Sequence, residues 1–221
     1  MNILERVISL IAPHECVGCA AEGAVLCTTC AFGLPAVQPR CYRCMRTSDG
    51  WRTCQKCRRH SDLCSVRVVT PYDGIAKEVV GRLKFAFARA AADDIAQAIV
   101  PLLPTDASLL ITHVPTAHAR VRKRGYDQAA LIAKAVAHQA GLPYRPLLAR
   151  MGDQRQVGQD RNARRRQMAH VFRLTGGAVM PQKHIVLIDD VFTTGATCEA
   201  AAAALRIGGA MRVSAIVFAV A

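Results

Sequence analysis

Eight of the ten cysteines occur between residues 16 and 57 as four Cys-x2-Cys pairs. They are Cys16 and Cys19, Cys27 and Cys30, Cys41 and Cys44, and Cys54 and Cys57. Each such turn directs two thiolates at one centre, and two turns form the tetrahedral sulfur cage that zinc prefers. A thioredoxin-type redox site uses a single pair, and disulfides do not persist in a reducing compartment. The spacing therefore predicts two zinc ions, which are structural because four thiolates leave no coordination position for a substrate.

The spacing allows two ways of pairing the cysteine turns. Sequential pairing leaves seven and nine intervening residues, and crossed pairing leaves 21 and 23. We favour sequential pairing, in which two short ribbons follow each other and Leu26 and Trp51 cap them. This segment has few large apolar side chains, so metal binding would supply most of its folding free energy. Cys64 and Cys198 lie outside the pattern, and we expect them to be ordinary buried thiols.

A second polar motif follows an apolar run near the C-terminus. Its residues are Asp189, Asp190, Thr193, Thr194, Gly195, Ala196 and Thr197. Two adjacent carboxylates at the end of a strand can accept hydrogen bonds from a sugar diol. A small-residue turn lets backbone N–H groups converge on a phosphate, and the next helix directs its positive end at the same anion. The chain has no Gly-x4-Gly-Lys and no Gly-x-Gly-x2-Gly, which excludes a Walker loop and a dinucleotide-binding loop.

The elements that must position this motif alternate between strand and helix from Cys64 onward. Periodicity predicts strands at 66–70, 109–114, 146–150, 185–188 and 213–220, and helices at 75–87, 95–103, 129–138 and 197–207. Apolar strands joined by helices are typical of a parallel α/β sheet that is covered on both faces, with ligands at the carboxyl ends of its strands. We predict two domains, an amphipathic helix with a double zinc ribbon at 1–63 and the α/β domain at 64–221.

The charge balance and the apolar runs restrict partners and location. The chain carries 29 Lys and Arg against 16 Asp and Glu, a net charge of +13 that attracts polyanions. Basic residues cluster at 120–124 and 155–166. The apolar stretches at 95–103 and 213–221 span nine residues each, whereas a membrane helix needs about 20. The N-terminus lacks the features of a secretion signal, so we expect a cytoplasmic protein without a membrane span.

The run at 186–197 resembles the signature of the type I phosphoribosyltransferases, which bind 5-phosphoribosyl-1-pyrophosphate (PRPP). Together with the cysteine pairs, Lys84, Val114-Pro115 and the run Arg124 to Gln128, it makes nearly the whole chain resemble the ComF family, named for competence and DNA uptake. The resemblance implies that PRPP binds with magnesium, its ribose on Asp189 and Asp190 and its 5-phosphate on 193–197. It also implies a set of residues that hold the pyrophosphate, namely Lys84, Pro115, Thr116, Arg120 and Arg124.

The chain departs from the family pattern at a few positions. The family has Arg-Gly-Phe-Asn-Gln where this chain has Tyr126 and Asp127 in the third and fourth places, and Asp127 replaces a neutral donor by an anion. The family's mobile loop maps onto Gln156, Gln159, Arg164, Gln167 and Phe172. Gln159 and Gln167 differ from it.

Two functions agree with the sequence. The resemblance favours a glycosyltransferase that moves phosphoribose from PRPP to an unidentified nucleophile with loss of pyrophosphate; His113 and His118 are candidate bases by position only, and a structural role is expected for them. The alternative is a non-catalytic, PRPP-sensing protein of the competence machinery that binds single-stranded DNA. Seven basic residues of the ribbons, with Tyr42 and Trp51 between them, would suit phosphate contact and base stacking.

Overall fold

The computed structural model describes residues 14–85, 88–105, 108–151, 171–176 and 183–221. The helix predicted near the N-terminus lies outside these ranges. So do four of the five residues of the expected mobile loop, those at 156, 159, 164 and 167.

The cysteine-rich segment has little regular structure. It contains two short helices, α1 (Thr28–Phe32) and α2 (Gln55–Arg58), and a single 3-10 turn at Asp49–Trp51. Isolated antiparallel bridges, Glu15 with Glu22 and Arg40 with Thr47, close the first turn of each half. With so few backbone ladders, the segment depends on its cysteines and on contacts with the remainder of the chain.

The remainder of the chain contains six strands and five helices in the described ranges. The strands are β1 (Ser65–Pro71), β2 (Leu109–His113), β3 (Leu148–Arg150), β4 (Phe172–Leu174), β5 (His184–Phe192) and β6 (Arg212–Val220), and the helices are α3 (Gly74–Phe85), α4 (Ala88–Ile99), α5 (His118–Arg124), α6 (Gln128–Ala140) and α7 (Ala196–Ile207). Strands β1, β6, β5 and β2 form, in that order, a sheet in which every pair is parallel. The predicted parallel α/β architecture is confirmed.

The sheet is covered on both faces, and the two faces of each strand alternate between two cores. In β5, Val186 and Ile188 belong to the core beneath α3, α4 and α6. Ile185 and Leu187 belong to the opposite core with α7. This period of two follows from the pleat of a strand, and burial on both faces explains why the strand is apolar throughout.

Several predicted boundaries differ from the observed ones. The helix expected at 95–103 begins at Ala88 and ends at Ile99, followed by a 3-10 turn over Val100–Leu102. The alanines at its start give no apolar periodicity, and Pro101 cannot continue the helical hydrogen-bond ladder. No helix in the described part of the chain has the length and apolarity that a membrane crossing requires.

The strand predicted at 146–150 also differs in length and partner. It begins only at Leu148 and pairs antiparallel with β4, apart from the main sheet. Pro146 has no backbone N–H to donate to a ladder, which explains the later start. Phe172, which was expected in the mobile loop, is instead the buried first residue of β4.

Buried side chains of the cysteine-rich segment belong to both cores, Val25 and Leu26 to the core beneath α3, α4 and α6 and Leu63 to the core with α7. Backbone N–H groups of Val25 and Leu26 donate to Asp94 of α4 at 2.7 and 2.9 Å. At the end of the segment, the N–H of Thr53 donates to the carbonyl of Cys64, and the N–H of Cys64 donates to the carbonyl of Val213 in β6. The division at residue 63 stays a prediction.

Candidate functional site

The eight paired cysteines form two separate clusters of four. One contains Cys16, Cys19, Cys27 and Cys30, and the other contains Cys41, Cys44, Cys54 and Cys57; all ligand atoms within a cluster lie within 4.8 Å of one another. The sulfurs of Cys19 and Cys27 are 3.6 Å apart and those of Cys44 and Cys54 are 3.7 Å apart. A tetrahedron with zinc–sulfur bonds of about 2.3 Å has edges of about 3.8 Å. The clusters therefore fit zinc, and the pairing is sequential, as favoured from the sequence.

Each cluster contains the same type of backbone hydrogen bond to a cysteine sulfur. The N–H of Cys27 donates to the sulfur of Cys16 at 3.3 Å, and the N–H of Cys54 donates to that of Cys41 at 3.4 Å. Desolvation opposes ionisation of Cys16 and Cys41, but backbone donors outweigh it and lower both pKa values to about 6. In the first cluster, the neighbouring Cys19 raises the pKa of Cys30 to about 12, because several thiolates at one centre repel each other. A zinc ion would offset that repulsion and allow all four thiols to ionise.

The predicted carboxylate pair lies at the carboxyl end of β5. Asp189 and Asp190 are both half-buried, and the Asp190 carboxylate accepts from Gln128 Nε2 at 3.0 Å. Burial, followed by repulsion from Asp190, raises the pKa of Asp189 well above its ordinary value. This edge of the sheet thus holds one desolvated carboxyl group that would gain from hydrogen-bond donors on a ligand.

A tight turn follows β5 at the position where the sequence predicts a phosphate loop. Gly195 has a left-handed φ of 76°, and a Cβ there would lie 2.5 Å from the ring of Phe192. Glycine is therefore required both by the backbone conformation and by the ring beneath it. Thr193, Thr194 and Thr197 are exposed around the first turn of α7. The first N–H groups of a helix have no intrahelical acceptor, so this turn offers donors to an anion.

Asp127 connects the loop after β2 to helix α6. Its carboxylate accepts from the N–H of Thr116 at 2.8 Å, from the hydroxyl of Thr116 at 2.9 Å and from the N–H of Ala130 at 3.2 Å. It is therefore the N-cap of α6 and at the same time fixes the loop that contains Pro115. The replacement of the family's Asn by an anion thus has a defined role, which is to accept three hydrogen bonds.

Lys84, at the end of α3, is a basic residue that approaches the carboxylates. Its Nζ lies 4.0 Å from Asp190 Oδ2 and 5.9 Å from the ring centre of Tyr72. Arg124 reaches the same group indirectly, because its guanidinium donates to Gln128, which donates to Asp190. Lys84, Arg124 and Asp190 therefore belong to one network, although their positions in the sequence are far apart.

Other predicted residues lie outside this network. Arg120 is exposed on α5, and His118 is exposed and donates to the carbonyl of Arg150 at 2.8 Å. His113 is buried; its Nδ1 lies 3.0 Å from the hydroxyl of Tyr144, and its Nε2 lies 3.8 Å from Asp127. Desolvation lowers the pKa of His113, against the attraction of Asp127, so a neutral structural role is favoured for it.

Sequence reasoning missed several contacts of the site. The motif contains Gln128 but does not indicate that this residue joins Arg124 to Asp190 through hydrogen bonds. The hydroxyl of Tyr126 donates to the carbonyl of Leu83, the residue that precedes Lys84 in the sequence. The only signal in the sequence was their position in the run 124–128. Of the two cysteines outside the pairs, Cys198 is buried as expected and Cys64 is half-buried.

The sequence is similar to the competence protein ComFC of Bacillus subtilis (strain 168), with 28% identity over 215 residues that cover 92% of this chain and 83% of that protein. It matches no protein-family model. This similarity and the two cysteine clusters support the resemblance of the chain to the ComF family.

This ComF-like chain is also similar to a solved structure, the adenine phosphoribosyltransferase of Leishmania tarentolae. The match has 18% identity and a TM-score of 0.36, and it covers 58% of this chain and just over half, 56%, of that one.

Proposed function

We propose that this ComF-like chain is a competence-related phosphoribosyltransferase that binds PRPP at the carboxyl edge of its parallel sheet. The observation that carries the proposal is the position of Asp189 and Asp190. They lie with Lys84 and Gln128 on one side, and the Gly195 turn at the start of α7 follows them in the chain. Two carboxylates between basic groups and a backbone anion loop match a ligand with a phosphate at each end of a ribose.

Each part of the site has a separate task in this proposal. The carboxylates accept hydrogen bonds from the two ribose hydroxyls, and the turn at 193–197 donates to the 5-phosphate. Lys84 and Arg124 lie near the pyrophosphate, with the loop of Pro115 and Thr116 beneath it. The ribose is thereby held at both ends, which fixes its anomeric carbon.

The reaction breaks the bond between the anomeric carbon and the pyrophosphate oxygen. The electron pair of that bond leaves with pyrophosphate, and a lone pair of the incoming nucleophile forms the new bond to the same carbon. The sugar is positively charged while the old bond is broken and the new one incomplete, so the carboxylates beside the ribose stabilise it. Magnesium bound with PRPP would neutralise charge on the leaving pyrophosphate.

Binding of the ribose also explains why a carboxyl group with a raised pKa lies at this edge of the sheet. In the free protein, desolvation and repulsion from Asp190 disfavour the ionised form of Asp189 and so raise its pKa. Hydroxyl donors of a ribose would favour the ionised form. PRPP affinity should therefore increase as pH rises through the raised pKa of Asp189.

Calorimetry with PRPP and magnesium tests the proposal. Changing both Asp189 and Asp190 to Asn removes the charge-assisted hydrogen bonds, and we expect it to abolish measurable binding while the chain stays folded. Asp93→Asn is the matched control, because Asp93 is exposed on α4 and its described hydrogen bond is with Gln139 of α6. Undiminished PRPP affinity of the double variant would refute the proposed site. In the wild-type protein with bound PRPP, release of pyrophosphate on addition of nucleobases, amines or DNA would identify the acceptor.

A second candidate function, binding of single-stranded DNA, is favoured by exposed arginines of the cysteine-rich segment. Arg46, Arg52, Arg58 and Arg59 are exposed there. The expected stacking platform is not supported, however, because Tyr42 and Trp51 are partly buried against the core beneath α7.

The charge of these arginines can be tested apart from the PRPP site. Changing all four to Ala should weaken binding of single-stranded DNA and make its salt dependence shallower, by about 0.7 per lost phosphate contact. Changing the same four to Lys is the control and should preserve the salt dependence. PRPP affinity should be the same in both variants. Unaltered DNA affinity in the Ala variant would exclude this surface.

A further inference from the structure

Tyr42 connects the second cysteine cluster to the phosphate loop. Tyr42 lies within the Cys41–Cys44 turn, and its ring meets that of Phe192 edge to face, with centres 5.8 Å apart and an angle of 89° between them. Phe192 is buried and is the ring that lies against Gly195. A chain of direct contacts therefore runs from a zinc-type turn to the backbone of the phosphate loop.

Polar contacts hold the same turn against the start of α7. The hydroxyl of Tyr42 donates to the carboxylate of Glu199, which lies in the first turn of that helix. Arg43 Nη1 also donates to Glu199 at 2.9 Å, and the N–H of Asp62 donates to its other oxygen at 3.2 Å. Glu199 is thus shared by three groups of the cysteine-rich segment.

The turn that presents Tyr42 is itself closely defined. The N–H of Cys41 donates to the carbonyl of Arg46, and the N–H of Met45 donates to that of Cys41, both at 2.8 Å. A zinc ion in this cluster would fix Cys41 and Cys44 on either side of Tyr42. The first cluster differs, because its described hydrogen bonds to the α/β part go to Asp94 of α4.

We infer that Tyr42 is a positioning residue for the phosphate loop, through which the second cysteine cluster sets the geometry of the 5-phosphate site. The inference rests on the proposed function for its ligand and on the observed contacts for its mechanism. The ring of Tyr42 limits the movement of Phe192, and Phe192 in turn limits the backbone around Gly195. Glu199 fixes the first turn of α7, whose N–H groups face the same ligand.

Two probes separate this role from a general structural one. Ribose 5-phosphate occupies the phosphate loop, and magnesium pyrophosphate occupies the opposite end of the site. Loss of an aromatic pair corresponds to about a 2- to 12-fold change in an equilibrium constant. We therefore expect Tyr42→Leu to weaken ribose 5-phosphate by about that factor and to leave magnesium pyrophosphate within about twofold. Tyr42→Phe keeps the ring and should restore most of the affinity.

The control is Phe32→Leu, because Phe32 is an aromatic residue of the same segment that is 87% exposed. It should change neither affinity. Equal weakening of both probes by Tyr42→Leu would indicate a general loss of structure and would overturn the inference. So would unchanged affinity for ribose 5-phosphate.

Hydrogen exchange of the ligand-free chain tests the inference without any ligand. Exchange of the amides at 192–199 should become faster in Tyr42→Leu than in the wild type, while those of β2 should not change. If Tyr42→Leu does not fold, Glu199→Gln serves instead and should accelerate the same amides. If the wild type binds neither probe, the proposed function fails, and unchanged exchange at 192–199 would separately refute the positioning role.

Discussion

Changing Asp127 to Asn restores the residue of the ComF pattern, and we expect it to destabilise this chain. One carboxylate oxygen of Asp127 accepts from the N–H of Thr116, and the other accepts from the N–H of Ala130 and the hydroxyl of Thr116. An amide has a single oxygen, so in either orientation its NH2 group faces a backbone N–H. One of the two backbone donors therefore loses its acceptor.

The magnitude follows from that lost acceptor. A buried donor left without its partner costs about 1–3 kcal/mol, and because both donors here are only partly buried, the upper figure is a limit. For a chain of this length, 1 kcal/mol corresponds to about 2–4 °C in Tm, so we expect a decrease of about 2–12 °C in a thermal melt. Asp73→Asn is the matched control. One oxygen of the exposed Asp73 accepts from Gly74 at 2.8 Å, and an amide can preserve that bond, so its effect should stay within about 0.5 kcal/mol.

A second measurement examines the same carboxylate through His113. Desolvation lowers the pKa of this buried imidazole, and the charge of Asp127 partly opposes that decrease. Removal of the charge should lower the pKa of His113 further, as followed by NMR titration. If Asp127→Asn were as stable as Asp73→Asn and left the His113 titration unchanged, the assignment of Asp127 as the bond between loop and helix would be refuted.

Three further predictions follow from the site. Gly195→Ala introduces left-handed backbone strain of about 1–2 kcal/mol and overpacking against Phe192 of about 1–3 kcal/mol. In chemical denaturation it should therefore lower the free energy of unfolding clearly more than Gly141→Ala does. At Gly141, φ is 64° but a Cβ would meet nothing within 4 Å. Elemental analysis should find about two zinc ions per chain, and a chelator should first unfold residues 14–60, whereas a zinc-free chain folded there would contradict the assignment. Burial raises the pKa of Asp189 above 3.8 in the folded state, so the contribution of this residue to stability is greatest below pH 3.8 and is lost as pH rises through the raised pKa. Asp189→Asn should remove this loss when the free energy of unfolding is measured across pH. If the free energy of unfolding depended on pH in the same way in both proteins, the prediction would be contradicted.

The sequence alone determined the parts of the protein whose chemistry is local in the chain. The cysteine turns are separated by seven residues in the first cluster and by nine in the second, so their spacing was enough to predict two four-cysteine zinc sites, whereas the structure decided that neighbouring turns pair. The run from Asp189 to Thr197 also lies within a single strand, turn and helix, and its geometry follows from those elements. The parallel α/β architecture was predictable because strands buried on both faces are apolar throughout.

Only the tertiary structure decided which distant residues meet. Lys84 and Gln128 reach Asp190 because the helices that carry them pack on the same face of the sheet, and Tyr42 contacts Phe192 and Glu199 across most of the chain. The polar contact of Tyr42 joins residues 157 positions apart. Periodicity and spacing report only the near neighbours of a residue in the chain, whereas these contacts depend on strand order and on where the cysteine-rich segment docks.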